Sequence, residues 1–279
     1  MSEFGAYGIA TSPQSVGTRL EGLLEEIRVR GYGALPAVLD EAEVARLNGT
    51  MDVVYANQCA AVGGEDALVR INDADIARCL LAYDEHFMRL ATHPTMREVA
   101  GALLGQNIVL LMQNGVISRP DRGQFQAKWH RDLNYQHWVS SRCFSLSVLV
   151  TLEDFTPMTG GTLFLAGSHR FENLPSQSFV EAHEEAPTLP AGSMIFFDSM
   201  TFHRAGRNTS DRIRRAVNHV IGAPMLAQQI DIPAMLGAAP PDDAQLAGYL
   251  GYRWNPARGV DDWRLRKIAQ MEGLTERSA

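Results

Sequence analysis

Three observations predict a mainly β fold with flanking helices, built around a double-sheet barrel or jelly roll. Apolar, β-rich runs recur between residues 106 and 222. Turn signals separate these runs at short intervals. Helical periodicity is confined to the segments before and after them.

The elements follow in chain order. Residues 1–15 are small and polar and read as a loose lead-in. Val16 to Val29 predicts an amphipathic helix, with Leu20, Leu23, Leu24 and Ile27 at helical spacing, broken by Gly31 and Gly33. Ala34 to Leu39 predicts a short strand. Asp40 caps a second helix, and Glu43 completes a capping box. Leu81 to Leu104 is helical in pattern, with an interruption near His93-Pro94. Strands are then expected at Ile108–Ile117, Phe125–Leu133, Cys143–Leu152, Gly161–Leu165, Ser193–Phe197 and Arg215–Ile221. Turns at 119–123, 159–161, 190–192 and 208–211 separate most of them. Helix returns at 241–254 and from Asp261 onward. No linker composition interrupts the chain. The expected organisation is one domain, 1–279, with a helical front (1–105), a β core (106–222) and a helical tail (223–279).

Composition excludes more than it names. The 279 residues carry a net charge of −7 and are 46 % hydrophobic, enough to build a core. The acidic balance argues against nucleic-acid and anionic-membrane partners. No run approaches the roughly 20 apolar residues of a membrane span, and residues 1–13 lack a signal-peptide pattern. Cys59, Cys79 and Cys143 form no redox or metal motif, so a cytoplasmic location is expected.

His130-Arg131-Asp132 is the first candidate for chemistry. On an extended strand, i and i+2 face one side, so an imidazole and a carboxylate meet there. Alone the pattern is weak: eight His and 16 Asp in 279 residues supply about half an occurrence by chance. His183-Glu184-Glu185 repeats it inside a charged stretch that reads as a solvated loop. A third ligand would complete a two-His-one-carboxylate face, which suits non-haem Fe(II) oxygen chemistry. His137, His169, His203 and His219 are candidates, and His203 lies just beyond a core strand.

The run His130-Arg-Asp-Leu-Asn-Tyr135 resembles the iron-binding segment of the phytanoyl-CoA dioxygenase family. In family order follow Thr159-Gly-Gly161 with Gly167-Ser-His169, then Leu189-Pro-Ala-Gly192 leading into a strand. After these come His203, Asn208-Thr-Ser210, and Arg214 eleven residues past His203. Arg30 to Leu39 followed by Glu41 to Leu47 is also similar to the family's opening. An ordered set of motifs is far more specific than any one of them.

The resemblance implies a double-stranded β-helix, a cupin-like jelly-roll variant, and dependence on Fe(II), 2-oxoglutarate and O2. It places His130, Asp132 and His203 on the iron and Arg214 on the distal carboxylate of 2-oxoglutarate, where a guanidinium offers a charged fork. Strand parity separates Arg214 from Arg215, and Arg212 reads as surface. The expected reaction hydroxylates an unactivated C–H of a small amino-acid-like or secondary-metabolite substrate and releases succinate and CO2. Asp132 sets the chain apart from halogenating relatives, which carry a small residue there. Ala205 stands where the family often has a serine that touches the co-substrate.

Gln113, Asn114, Gln126 and Lys128 are expected along the co-substrate pocket. A buried Lys128 would need an anion, or else would lie at the sheet edge. Asn134, Tyr135, His137, Trp138 and Arg142 are expected at the substrate mouth. Arg131 is expected to point away from the iron, toward the surface. Tyr249, Tyr252 and Trp254 are expected to pack on the barrel. Two other classes stay open at this stage: a non-catalytic binding barrel, and a cupin-type metal enzyme without 2-oxoglutarate. The expected partner is a small molecule. The oligomeric state, monomer or homodimer, is open.

Overall fold

The computed structural model describes residues 17–120, 122–123, 125–133, 138–237 and 239–276. Their elements run α1 (Arg19–Arg30), β1 (Tyr32–Leu35), α2 (Glu41–Ala61), α3 (Glu65–Arg70), β2 (Ile76–Arg78), α4 (Glu85–Ala91), α5 (Pro94–Leu104) and β3 (Val109–Ser118). Then come β4 (Ser145–Thr151), β5 (Thr162–Leu165), α6 (Gln177–His183), β6 (Glu184–Glu185), β7 (Met194–Asp198), β8 (His203–Ala205) and β9 (Arg214–Gly222). The tail holds α7 (Ile232–Leu236), α8 (Ala244–Tyr249) and α9 (Val260–Glu276). Helix exceeds strand in this inventory, so "mainly β" is too loose for the chain and describes its centre better.

Local chemistry sets the helix ends. Thr18 and Asp40 each accept from the backbone three residues on, and Glu21 and Glu43 return the bond, closing two capping boxes. Gly31 ends α1 in the left-handed region at φ 85°, where a side chain would run into Thr201 and His169. Pro94 opens α5 behind His93, which is why the long helical pattern splits there.

The strands form two antiparallel sheets. One has six strands in the order β1-β7-β4-β9-β3-β2, and the other has three in the order β6-β5-β8. A bridge between His130 and His203 adds the segment around His130 to the free edge of β8. The expected strand at 125–133 is corrected here: residues 125–127 form a 3-10 turn, and only His130 joins a sheet. His183-Glu-Glu185 is corrected too, since it ends α6 and forms β6 against β5.

Alternation assigns each strand face. Leu146, Val148 and Val150 on β4, Met194 and Phe196 on β7, and Val217 and Ile221 on β9 join the cluster formed with α1, α2, α4 and α5. Each large apolar side chain buried there contributes roughly 1.5–3 kcal/mol. The opposite parity looks into the space between the sheets. There Leu149, Ile195, Phe197 and Ala216 cluster with Tyr32 and Phe164, and Phe164 stacks on Tyr32 at 4.6 Å between ring centroids. Ser147, Arg214 and Asn218 share this inner parity. Tyr249 is buried and donates to the Ala91 carbonyl at 2.7 Å, so this tail aromatic packs on the helical layer.

Candidate metal and co-substrate site

His130, Asp132 and His203 converge at the edge of the small sheet. One ligand atom from each lies within 4.8 Å of the others. His203 Nε2 is 3.4 Å and His130 Nε2 3.9 Å from Asp132 Oδ1. Backbone bonds set this placement: His130 N–H donates to the His203 carbonyl at 3.0 Å, His203 N–H returns the bond at 3.1 Å, and Asp132 N–H donates to Ser199 at 3.0 Å.

The outer contacts of each side chain fix its metal-facing atom. His130 Nδ1 is 2.8 Å from the Lys128 carbonyl, and His203 Nδ1 is 2.9 Å from the Thr201 carbonyl. A carbonyl accepts only, so both Nδ1 atoms carry a proton, which leaves each Nε2 as the atom that can turn a lone pair to a cation. Asp132 Oδ2 accepts from the Ser147 hydroxyl at 2.6 Å and the Asn218 amide at 3.4 Å, which leaves Oδ1 toward the imidazoles. Ser147 in turn meets Ser199 at 2.8 Å, and Ser199 meets Ser145 at 2.8 Å, a buried hydroxyl ladder.

Electrostatics follow the same geometry. Burial alone would raise the Asp132 carboxyl, but His203, then His130 and Ser147, outweigh it and hold the group well below the usual carboxylate range. Burial lowers His203, yet Asp132 and the Thr201 carbonyl leave it above its ordinary value. Burial and the neighbouring His203 pull His130 down. A deprotonated carboxylate facing two Nε2 lone pairs is the donor set that a divalent cation requires, so these residues fit an iron ion.

The three residues line a cavity that also contains Arg214 and Thr162, with Val116, Leu149, Phe197 and Ala205 as apolar walls. Arg214 is 2 % exposed. Its Nη2 donates to the Gly160 carbonyl at 2.7 Å, its plane lies over Phe155 at 4.8 Å, and its Nε has no partner. Burial pushes its pKa down to about 10, against the opposing charge of Glu153. A buried cation with an orphaned donor calls for an anion, and a dicarboxylate fits. Arg215 turns the other way, to Asp52 at 2.7 Å and Glu153 at 2.9 Å, and Arg212 is exposed. Ala205 lines the cavity without offering a hydrogen bond from its side chain.

Other expected positions fall elsewhere. Gln113 is corrected: it faces the helical layer, donating to the Phe87 carbonyl at 2.8 Å and meeting His219 at 2.9 Å. A bulge between Leu110 and Met112 shifts the register along β3, and Asn114 and Val116 have the site-facing parity. Lys128 is also corrected, because its exposed side chain lines an outer cavity while its carbonyl serves His130. Gln126 lines both cavities. Trp138 packs near Phe144 at 5.7 Å, and Arg142 borders a different cavity with Cys143 and Arg170, so neither joins the mouth. Asn134, Tyr135 and His137 lie outside the described residues. His169 is buried against the Arg28 carbonyl, and His219 sits on the helix-facing side of β9.

Arg131 is not on the surface. It points away from the ligands, as parity requires, but is 2 % exposed, donates to the carbonyls of Ser168, Phe171, Glu172 and Met200, and lies over Phe202 at 3.9 Å. Sequence reasoning missed Ser147, Thr162 and Asn218. For Asn218 the signal was available, since it shares strand parity with Arg214.

A cation site beside a buried arginine, both between two antiparallel sheets, defines a metal-dependent enzyme that takes an anionic co-substrate. Residues 27–216 match the model of the phytanoyl-CoA dioxygenase (PhyH) family. The chain belongs to that family, and is an Fe(II)- and 2-oxoglutarate-dependent dioxygenase that uses O2. It is 31 % identical over 229 residues to the uncharacterized protein Rv1501 of Mycobacterium tuberculosis, covering 80 % of this chain and 82 % of the relative. It is 25 % identical over 238 residues to the ectoine dioxygenase of Stutzerimonas stutzeri, covering 72 % and 77 %. Its fold is similar to the crystal structure of EctD from S. alaskensis with 2-oxoglutarate and 5-hydroxyectoine. That match has a TM-score of 0.62 at 22 % identity, over 77 % of this chain and 79 % of the other. Among the described residues, no helix is long and apolar enough to cross a membrane.

Proposed function

We propose that the enzyme hydroxylates an unactivated C–H of a small polar molecule, amino-acid-like or a secondary metabolite, and releases succinate and CO2. His130, Asp132 and His203 hold the iron, and Arg214 binds the distal carboxylate of 2-oxoglutarate. The two sheets act as a double-stranded β-helix within a single domain, and the protein works in the cytoplasm on a small-molecule partner. Bound Fe(II) and 2-oxoglutarate together supply the oxidising chemistry.

The chain's own residues set the conditions. The Lys128 and Thr201 carbonyls orient the two imidazoles, and Ser147 with Asn218 keeps Asp132 turned to the metal. Val116, Leu149, Phe197 and Ala205 exclude water around the co-substrate. The outer cavity shares Val116, Gln126, His130, Asp132 and Asn218 with the inner one but not Arg214, so a substrate there borders two of the three ligands without occupying the arginine's end of the site. The similarity to ectoine dioxygenase supports a small polar substrate.

The buried Arg214 guanidinium, its Nε unpartnered in the cavity of the ligand triad, carries this reading, because a metal barrel without 2-oxoglutarate has no use for it. The test is succinate formation from 2-oxoglutarate under air with added Fe(II). Turnover is expected in the parent and absent in Asp132→Ala. An Asp132→Ala protein that binds iron and turns over like the parent overturns the site assignment.

A further inference from the structure

The outer cavity differs in character from the inner one. Five carboxamides line it: Asn72, Asn114, Gln126, Asn218 and Gln229. Two of its charged side chains are already paired, the buried Asp75 with Arg119 at 2.7 Å and the half-buried Arg78 with Asp73. Asn114 already bonds Gln229, and Gln229 also accepts from Arg78, so the unspent amide capacity on its walls is that of Asn72, Gln126 and Asn218, beside the exposed Lys128. A hydrocarbon chain placed there would leave them unmet.

Asn218 has the most constrained orientation. It is 8 % exposed and lines both cavities. Its Nδ2 faces Asp132 Oδ2 at 3.4 Å. A carboxylate only accepts, so the amide cannot turn over without setting oxygen against oxygen. The orientation fixed by Asp132 leaves Asn218 Oδ1 buried with no hydrogen-bond partner. Buried acceptors are rarely left so, and the unmet one lies where the two cavities join.

We infer that Asn218 determines substrate specificity: its Oδ1 accepts an N–H or O–H from a small polar substrate in the amide-lined outer cavity, which places the carbon next to that donor toward the metal. The inference rests on the reading of His130, Asp132 and His203 as the iron site. It deepens that reading by naming the group that is recognised. A site built to accept such a bond rejects the analogue that lacks it, because the acceptor is then buried unpaired. Asn218 links recognition to the metal, since the amide that accepts from the substrate also donates to Asp132.

The experiment measures binding, without turnover. Protein loaded with Ni(II), a redox-inert stand-in for iron, and with 2-oxoglutarate is titrated calorimetrically with ligand pairs. Amino-acid amides, lactams and hydroxy acids are each set beside the N- or O-methylated counterpart, and straight-chain acyl amides of equal size complete the panel. At least one N–H or O–H parent is expected to bind about tenfold tighter than its methylated partner. In Asn218→Leu that ratio falls to within about twofold; a purely steric penalty for the methyl group would persist. Asn218→Ala repeats the comparison in case the branched side chain disturbs packing. The inference is overturned if no parent binds, if methylated or acyl ligands bind equally well, or if the ratio survives in both variants. Wild-type protein that binds neither Ni(II) nor 2-oxoglutarate overturns the iron-site reading instead.

Discussion

A guanidinium buried with one hydrogen bond and an orphaned Nε is costly until an anion arrives. Arg214 therefore behaves oppositely in the free and loaded enzyme. Arg214→Met removes a buried charge that Glu153, the Gly160 carbonyl and the Phe155 ring offset only in part, so without 2-oxoglutarate the variant melts at or above the parent temperature. With 2-oxoglutarate the parent gains stability through binding and the variant does not. Losing one partner of a buried charge pair costs about 2–5 kcal/mol, so affinity for 2-oxoglutarate falls by roughly 30-fold or more. Thermal melts with and without 2-oxoglutarate check both halves, and a variant that keeps its ligand-induced shift would sink the assignment. Ser147→Ala addresses the metal side. Its hydroxyl, 2.6 Å from Asp132 Oδ2, orients the carboxylate without touching the cation. Removing it weakens metal affinity by about 10-fold, readable in a Ni(II) titration, while the chain stays folded. Affinity at the parent value would show that the bond does not orient Asp132.

The turn at Thr159-Gly-Gly161 is an element whose purpose emerges only in three dimensions. Gly160 sits at φ 69°, and a Cβ there would lie 2.5 Å from the Arg207 carbonyl carbon. Its own carbonyl holds Arg214. Gly206 returns the contact, its N–H donating to the Gly161 carbonyl at 3.1 Å. Gly160→Ala must shift this backbone, costing about 1–3 kcal/mol and weakening 2-oxoglutarate affinity through Arg214. Urea unfolding and a 2-oxoglutarate titration measure the two effects, and parental values in both would refute the coupling. The sequence marks this turn as glycine-rich but does not show what it holds. The same limit explains the missed elements. Strands β2, β6 and β8 span two or three residues each, too few for alternation to register. The segment around His130 alternates like a strand, yet it touches the sheet at one residue. The longer strands and the capped helices were legible because their signals repeat or close locally. Gln113 and Asn114 are both expected in the pocket, but adjacent strand residues face opposite sides, and only Asn114 shares the face of Asn218.

At the scale of the whole molecule, the six-stranded sheet, where it meets the helical layer, is also a pH-sensitive seam. His219 lies within it, on the side of β9 opposite Arg214 and Asn218, fully buried beside Gln113 and the Val148 carbonyl. Burial pushes its pKa from 6.5 down to about 4, against the carbonyls of Val148 and Val217 and with help from His93. The unfolded chain regains the ordinary value, so below pH 6.5 it binds a proton that the native state refuses. Stability from this group is thus complete above about pH 6.5 and is lost as the pH falls toward 4, by about 2–3 kcal/mol at pH 4.5. Burial lowers His93 and His169 in the same direction, so acid sensitivity of the parent is a sum over several sites. His219→Gln isolates one contribution: it keeps a neutral amide beside Gln113 and cannot take up the proton. It is expected to be less stable than the parent at pH 7.5, from imperfect packing, and to close that gap by about 2–3 kcal/mol between pH 7.5 and pH 4.5. Urea unfolding at both pH values reads the difference. A gap that stays constant with pH would mean that His219 is protonated in the native state, and that the seam is held by something other than a neutral imidazole.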